Sequence, residues 1–233
     1  MLEVHGLNAW YGQAHILADV SFDVAAGECV ALLGRNGAGK STTFKAIMGL
    51  VARRRGEITF DGARIDGVPA WRIARQGLGF VPEDRRIFTD LTVMENLAVG
   101  RQPARAGTSH WTPEKLFALF PNLGEMRGRA GGRMSGGEQQ MLTIARTLMG
   151  NPRCLLLDEL SEGLAPIIVE QMAQAILALQ GEGLCVLLSE QNLHFATRVA
   201  SRAVVIEKGR VRFSGSMQDL RADAAVRAQY LSI

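Results

Sequence analysis

At 233 residues, with 47% hydrophobic and 21% charged residues, the chain is long enough for one large globular domain or a domain carrying an inserted lobe. Lys and Arg number 26 against 23 Asp and Glu, and a net charge of +3 is too weak a bias to argue for nucleic acid. No apolar run approaches the roughly 18 residues that span a bilayer, and the acidic third residue of MLEVHGLNAW does not fit a secretory leader. The chain therefore reads as soluble, with any membrane role coming through a partner.

The elements alternate. SFDVAAGECVALLG gives two short strands around a turn at Gly27, the second a continuous apolar run of the buried kind. Arg53-Arg54-Arg55 reads as a solvated loop, and GEITFDGARI as an alternating strand with an Asp-Gly turn. GLGFVP is a short strand stopped by Pro82. From about 88 to 150 the texture turns helical through VMENLAVG, TPEKLFALF and EQQMLTIARTLMG, and Thr112-Pro113 has the form of an N-cap followed by Pro at the first helical position. RCLLLDE and LCVLLSE return as buried strands on either side of the helical PIIVEQMAQAILALQGEG, and RAVVIEKGRVRFSG reads as a hairpin turning at Lys208-Gly209. Strands alternating with helices imply an α/β core with a largely parallel sheet. The expected organisation is a single domain, with its core at about 1–87 and 151–233 and a helical lobe at about 88–150. Cys29, Cys154 and Cys185 each sit inside an apolar run and read as small buried hydrophobes, as a reducing compartment permits.

GRNGAGKS, residues 34–41, follows the strand CVALL and precedes the helical TTFKAIMGL. In that setting the glycines let backbone N–H groups converge on phosphate oxygens at the positive end of a helix. Lys40 is placed to reach the β- and γ-phosphates of a nucleotide, and the Ser41 hydroxyl to ligate Mg²⁺. CLLLDE, residues 154–159, is a buried strand ending in two carboxylates at the edge where α/β proteins bind ligands. There Asp158 would hold Mg²⁺ and Glu159 would orient or deprotonate an attacking water. No feature for a second substrate stands out, so the reading is ATP hydrolysis rather than a kinase reaction.

RMSGGEQQM, residues 133–141, offers a second glycine-rich helix start. Ser135 with Glu138 matches a capping box. With phosphates already assigned to residues 34–41, this helix end has no local anion to meet. It gains a purpose if two chains face each other and each lends it to the other's ATP; both readings are compatible.

At this point the four motifs, in this order over essentially the whole chain, resemble the ATP-binding cassette (ABC) proteins. The resemblance implies a P-loop NTPase core with an N-terminal antiparallel β portion and an inserted α-helical subdomain. It implies nucleotide contacts from Gly34, Arg35, Asn36, Gly37, Ala38, Gly39, Lys40, Ser41 and Thr42, with Tyr11 of WYGQ stacking on adenine. Ser135, Gly136, Gly137 and Glu138 become the signature that meets the opposite chain's ATP. In FVPEDRRIF, the segment that senses the γ-phosphate and touches the membrane partner, Glu83 stands where the family has Gln, and it joins Ser41 and Asp158 in the implied metal set. In LLSEQN, Gln191 replaces the usual γ-phosphate histidine and is assigned with Glu159 and Lys40 to catalysis. Leu160 stands where Pro is usual, leaving the following loop less restrained, and Ala165 where many members have Asp.

The set VPE…RRIF…LTVMENL, MSGGEQQM, EGLAPIIVEQ and SEQN is similar to the branch serving branched-chain amino acid importers, with the urea-importer ATPases close by. The resemblance implies an ATPase subunit at the cytoplasmic face of the membrane. It would pair with a second ATPase chain, related or identical, and drive two permease subunits fed by an extracytoplasmic substrate-binding protein. A DNA-repair cassette ATPase would need long coiled coils or added domains between Lys40 and Asp158, where only a compact lobe fits. A non-hydrolysing regulatory module would be expected to have lost Glu159.

Overall fold

Two sheets share one interior in the computed structural model, which describes residues 1–105 and 109–231. The strands are β1 (Leu2–Tyr11), β2 (Ala14–Val24), β3 (Cys29–Leu33), β4 (Arg53–Phe60), β5 (Ala63–Arg64), β6 (Leu78–Val81), β7 (Cys154–Asp158), β8 (Cys185–Glu190), β9 (Arg202–Glu207) and β10 (Arg210–Ser216). The smaller sheet is antiparallel with order β2-β1-β4-β5, and the larger runs β10-β9-β3-β8-β7-β6, parallel except for the β9–β10 hairpin.

The continuous apolar runs are explained by burial on both faces of the larger sheet. Along β3, β7 and β8, Ala31, Leu33, Leu155, Leu157, Val186 and Leu188 pack toward one core. Their neighbours Val30, Leu32, Leu156 and Leu187 pack toward the other. The second core is closed by the antiparallel sheet and by α1 (Lys40–Ile47), whose Phe44 and Ile47 are fully buried. α2 (Ala70–Gln76) adds Ile73 to that side.

The first core is covered by α3 (Val93–Gly100), α4 (Pro113–Leu119), α5 (Pro121–Glu125) and α6 (Gly136–Leu148), which lie between β6 and β7 in the chain. α7 (Pro166–Gly181), α8 (Leu193–Val199) and α9 (Met217–Ala222) complete it. Local chemistry starts these helices where expected. Thr92 and Glu95 form a capping box at α3, and the Thr112 hydroxyl accepts from Lys115 N–H ahead of Pro113. Among the described residues, no helix is long and apolar enough to cross a membrane.

The three arginines at 53–55 correct the expectation of a loop: they open β4, paired with β1. Their chemistry explains how a strand tolerates them. The Arg53 guanidinium lies 4.9 Å from the Trp10 ring centroid, and Arg54 donates to the carbonyls of Val51 and Asp66 at 2.8 and 2.7 Å. The three cysteines are buried and free, as read, and burial pushes the Cys29 thiol up.

Candidate active site

β3 ends at the centre of the larger sheet, between β8 and β9, and the chain turns there into residues 34–39 before entering α1. Gly37 and Gly39 adopt φ of 77° and 114°, a region that favours glycine, and a Cβ on Gly34 would strike the Ile206 carbonyl. Gly39 caps α1 without a side-chain bond, so the N–H groups of Lys40, Ser41 and Thr42 have no partner within the helix. A helix N-terminus with free N–H groups is an anion site.

Lys40 is 3% exposed, with its ammonium donating to the carbonyls of Gly34 and Arg35 at 2.8 and 3.2 Å. It also lies 2.9 Å from Glu159 Oε1. The tip of the β9–β10 hairpin braces the loop from the other side. Gly209 N–H donates to the Ala38 carbonyl, and its own carbonyl accepts from Ala18 N–H on β2, both at 2.8 Å.

β7 delivers the carboxylates. Asp158 is 1% exposed and accepts from Ser41 Oγ at 3.2 Å and from Ser189 Oγ. Burial pushes its carboxyl up, and those two hydrogen bonds pull it back in part. Glu159 follows in a left-handed conformation, φ 47°, with its N–H donating to the carbonyl and hydroxyl oxygens of Ser189 at 3.1 and 3.2 Å. That conformation is costly for a non-glycine residue, so the surrounding bonds must hold it. Burial alone would raise the Glu159 carboxyl, but hydrogen bonds from Glu162, Lys40 and Gln191 and the Lys40 charge hold it below the ordinary range.

Gln191 Nε2 bridges Asn36 Oδ1 at 2.5 Å and Glu159 Oε2 at 3.0 Å. Three segments distant in sequence thus converge on one point: the glycine loop, the end of β7 and the end of β8.

The carboxylates of Glu83, Glu159 and Glu162 come within 4.8 Å of one another, and the hydrogen bond shared with Glu159 raises the Glu162 carboxyl. Glu83 is therefore grouped with these residues, while Ser41 and Asp158 form a separate hydrogen-bonded pair. Two hard oxygen donors beside the phosphate loop fit Mg²⁺, which takes few protein ligands and keeps several waters.

Tyr11 ends β1 and is 48% exposed. Trp10 is already stacked on His15 at 4.5 Å, with Arg53 over its ring. Of the two neighbouring aromatics, Tyr11 has the uncommitted face.

Ser135 caps α6 in a full capping box, donating its N–H to Glu138 Oε2 at 2.7 Å and accepting from Glu138 N–H at 3.4 Å. Gly137 is packed so tightly that a Cβ would lie 2.8 Å from Ile168, and one on Gly136 would lie 2.9 Å from the Arg85 guanidinium. Among the described residues, no hydrogen bond or ion pair joins Ser135–Glu138 to the phosphate loop of the same chain. Arg85 and Arg86 take φ of 60° and 50°, and Thr143 Oγ1 of α6 donates to the Arg85 carbonyl at 2.9 Å. The segment after Glu83 is thereby tied to the α6 helix. Beside it lies a cleft of about 490 Å³ lined by Trp71, Phe80, Arg86, Phe88, Val99 and Arg146.

Residue-by-residue reading missed Ser189, Glu190, Ser161 and Glu162. All four are legible only as polar residues at strand ends, which a solvated sheet edge explains equally well. The Leu160 side chain is 1% exposed and packed in the helix-side core.

The family profile described as ABC transporter matches residues 17–162. The high-affinity branched-chain amino acid transport ATP-binding protein of Pseudomonas aeruginosa is 43% identical over 231 residues, 99% of each chain. The lipopolysaccharide export system ATP-binding protein of Haemophilus influenzae is 35% identical over 233 residues, 99% of this chain and 97% of the other. Among solved structures, the ATP-binding subunit of an ABC transporter superposes with a TM-score of 0.83 at 31% identity, covering 100% of this chain and 96% of that one. Lipopolysaccharide export is a neighbouring function that the residues alone had not brought into view.

Proposed function

The chain belongs to the ABC transporter family, as an ATP-hydrolysing subunit, and from that premise we propose that it powers import of branched-chain amino acids. ATPase subunits of this family bind nucleotide and work as dimers with transmembrane permease partners. The observation that carries the substrate class is the 43% identity running the length of both chains, against 35% for the lipopolysaccharide export relative. Glu83 and Gln191, two of the departures from the general family pattern, support the same branch.

In this reading Lys40, the N–H groups at the start of α1 and residues 34–39 bind the triphosphate. Ser41 and Asp158 hold Mg²⁺, which screens phosphate charge when bound. Water adds to the γ-phosphorus as the bond to the β–γ bridging oxygen breaks, and Glu159 accepts the water's proton, giving ADP and phosphate. Gln191 donates through Nε2 to a γ-phosphate oxygen; a neutral amide supplies the hydrogen bond without the charge of a histidine. Ser135 and Gly136 of a second chain close on the triphosphate, and the glycine leaves room for that approach. The core and the helical lobe at about 88–150 border the cleft at Phe88, where a permease segment docks, and the chain lies peripherally at the cytoplasmic membrane face. A substrate-binding protein delivers the solute from outside.

The test is uptake of labelled leucine, isoleucine and valine by cells lacking this chain, with the wild type or Glu159→Gln returned. Import should fail without the chain and return only with the wild type. Normal uptake together with defective surface lipopolysaccharide would transfer the assignment to the export branch.

A further inference from the structure

β8 ends in two polar residues buried as deeply as its leucines: Ser189 is fully buried and Glu190 is 2% exposed. Ser189 is occupied with Asp158 and Glu159, as described. Among the described residues, no hydrogen bond joins Glu190 to the phosphate loop. Its Oε1 accepts Ser161 N–H at 3.0 Å, and its Oε2 accepts the Ser161 hydroxyl at 2.7 Å. Ser161 lies two residues after Glu159, and Glu190 directly precedes Gln191. One buried carboxylate therefore spans the two loops that carry the proton acceptor and the amide facing the γ-phosphate.

Desolvating a carboxylate is expensive, and an apolar residue of similar size would fill the same space at less cost. What the carboxylate adds is two acceptor oxygens with several lone pairs, here satisfied by the N–H and O–H of Ser161 on the loop after Glu159. The loop it holds also contains Glu162, whose carboxylate comes within 4.8 Å of that of Glu159.

We propose that Glu190 is a positioning residue for hydrolysis: by clamping Ser161 to the Gln191 loop it keeps Glu159 and Gln191 in one rigid arrangement. The 3.0 Å contact between Gln191 Nε2 and Glu159 Oε2 is the geometry that this clamp maintains. Glu190 acts through Ser161 and through its place next to Gln191 in the chain, and touches no nucleotide.

The experiment uses the full chain and measures kcat, KM for MgATP and nucleotide Kd for Glu190→Ala, Ser161→Ala, their double variant and Glu190→Gln. Misplacing catalytic groups by about an ångström costs on the order of 10²-fold, so Glu190→Ala and Ser161→Ala should each lower kcat by about 10- to 100-fold with Kd little changed. Because Ser161→Ala removes the hydroxyl bond, which is part of what Glu190→Ala removes, the double variant should be no worse than Glu190→Ala alone by more than about threefold. Glu190→Gln can still accept Ser161 N–H and donate to the Ser161 hydroxyl, and should retain kcat within about threefold of wild type. Independent, multiplying losses in the double variant would overturn the proposal. So would a Ser161→Ala enzyme of wild-type kcat, a reading available even if Glu190→Ala fails to fold. The inference rests on the assignment of Glu159 and Gln191, and Glu159→Gln in the same assay tests that assignment separately: its failure shows as a retained kcat in that variant alone.

Discussion

The Lys40 ammonium and the Glu159 carboxylate lie 2.9 Å apart, with their side chains 2% and 8% exposed. The proposed phosphate-binding cation and the proposed proton acceptor thus satisfy each other's charge. A buried pair of this kind is costly to break by removing one partner, and an incoming triphosphate offers Lys40 a replacement anion. Glu159→Gln keeps an oxygen acceptor for Lys40 and loses only the base. It should bind ATP nearly as wild type while turnover falls on the order of 10²–10⁴-fold. Steady-state phosphate release and an equilibrium nucleotide titration check it; turnover within a few-fold of wild type would remove Glu159 as the base.

Gln191 bridges Asn36 and Glu159 through one amide nitrogen, and an amide does not titrate between pH 6 and 8. Gln191→Ala should slow hydrolysis and leave nucleotide binding in place. Gln191→His places a group with an unperturbed pKa of about 6.5 at the same point, so its pH–rate profile should acquire a step that wild type lacks. Superimposable profiles would detach this position from the γ-phosphate.

The two glycine-rich helix starts are tested by mixing. Lys40→Ala damages the phosphate loop, and Gly136→Asp brings a carboxylate to a helix end proposed to meet the partner's triphosphate. The group nearest the added Cβ is the Arg85 guanidinium at 2.9 Å, the movable end of a flexible side chain, so α6 itself should survive the substitution. Each variant alone should be inactive. Mixed heterodimers assemble one site from undamaged parts, and activity should recover to about a quarter of wild type if subunits exchange freely and sites act independently. A demonstrably dimeric Gly136→Asp chain that hydrolyses ATP normally would reduce this motif to the capping box it also forms.

Burial lifts the Glu190 carboxyl from 4.5 to about 7, against the pull of hydrogen bonds from Ser161, and the Glu159 charge raises it further. The folded chain therefore holds a proton at this position that the unfolded chain releases at lower pH. The resulting stability is fully present below about 4.5 and is lost as pH rises through about 7. Glu190→Gln removes this dependence. In denaturation between pH 5 and 8, its stability relative to wild type should increase with pH by up to about 3 kcal/mol. A constant difference across that range would mean that Glu190 titrates like an exposed carboxyl.

Much of this protein was legible in its residues because it depends on local chemistry. A glycine loop between an apolar strand and a helix, a strand closing on Asp158-Glu159, the Thr112 and Ser135 caps and the Lys208-Gly209 turn each follow from short-range sterics and hydrogen bonding. The doubly buried sheet followed too, since runs such as CLLLD have no solvated face. The arginines of β4 were misread because their strand is stabilised by partners far along the chain: Trp10 on β1 and the carbonyl of Asp66. Likewise, nothing local distinguishes Leu160 as a core residue or Glu190 as a clamp. Which buried carboxylate meets which donor depends on the order of strands in the sheet. Placing β8 between β3 and β7 is what brings Asn36 to Gln191, Glu159 to Ser189 and Ser161 to Glu190. Strand order is set by packing across the whole sheet, a sum of long-range contacts that no short window of sequence contains, so the motifs were readable one by one and their convergence belonged to the tertiary structure.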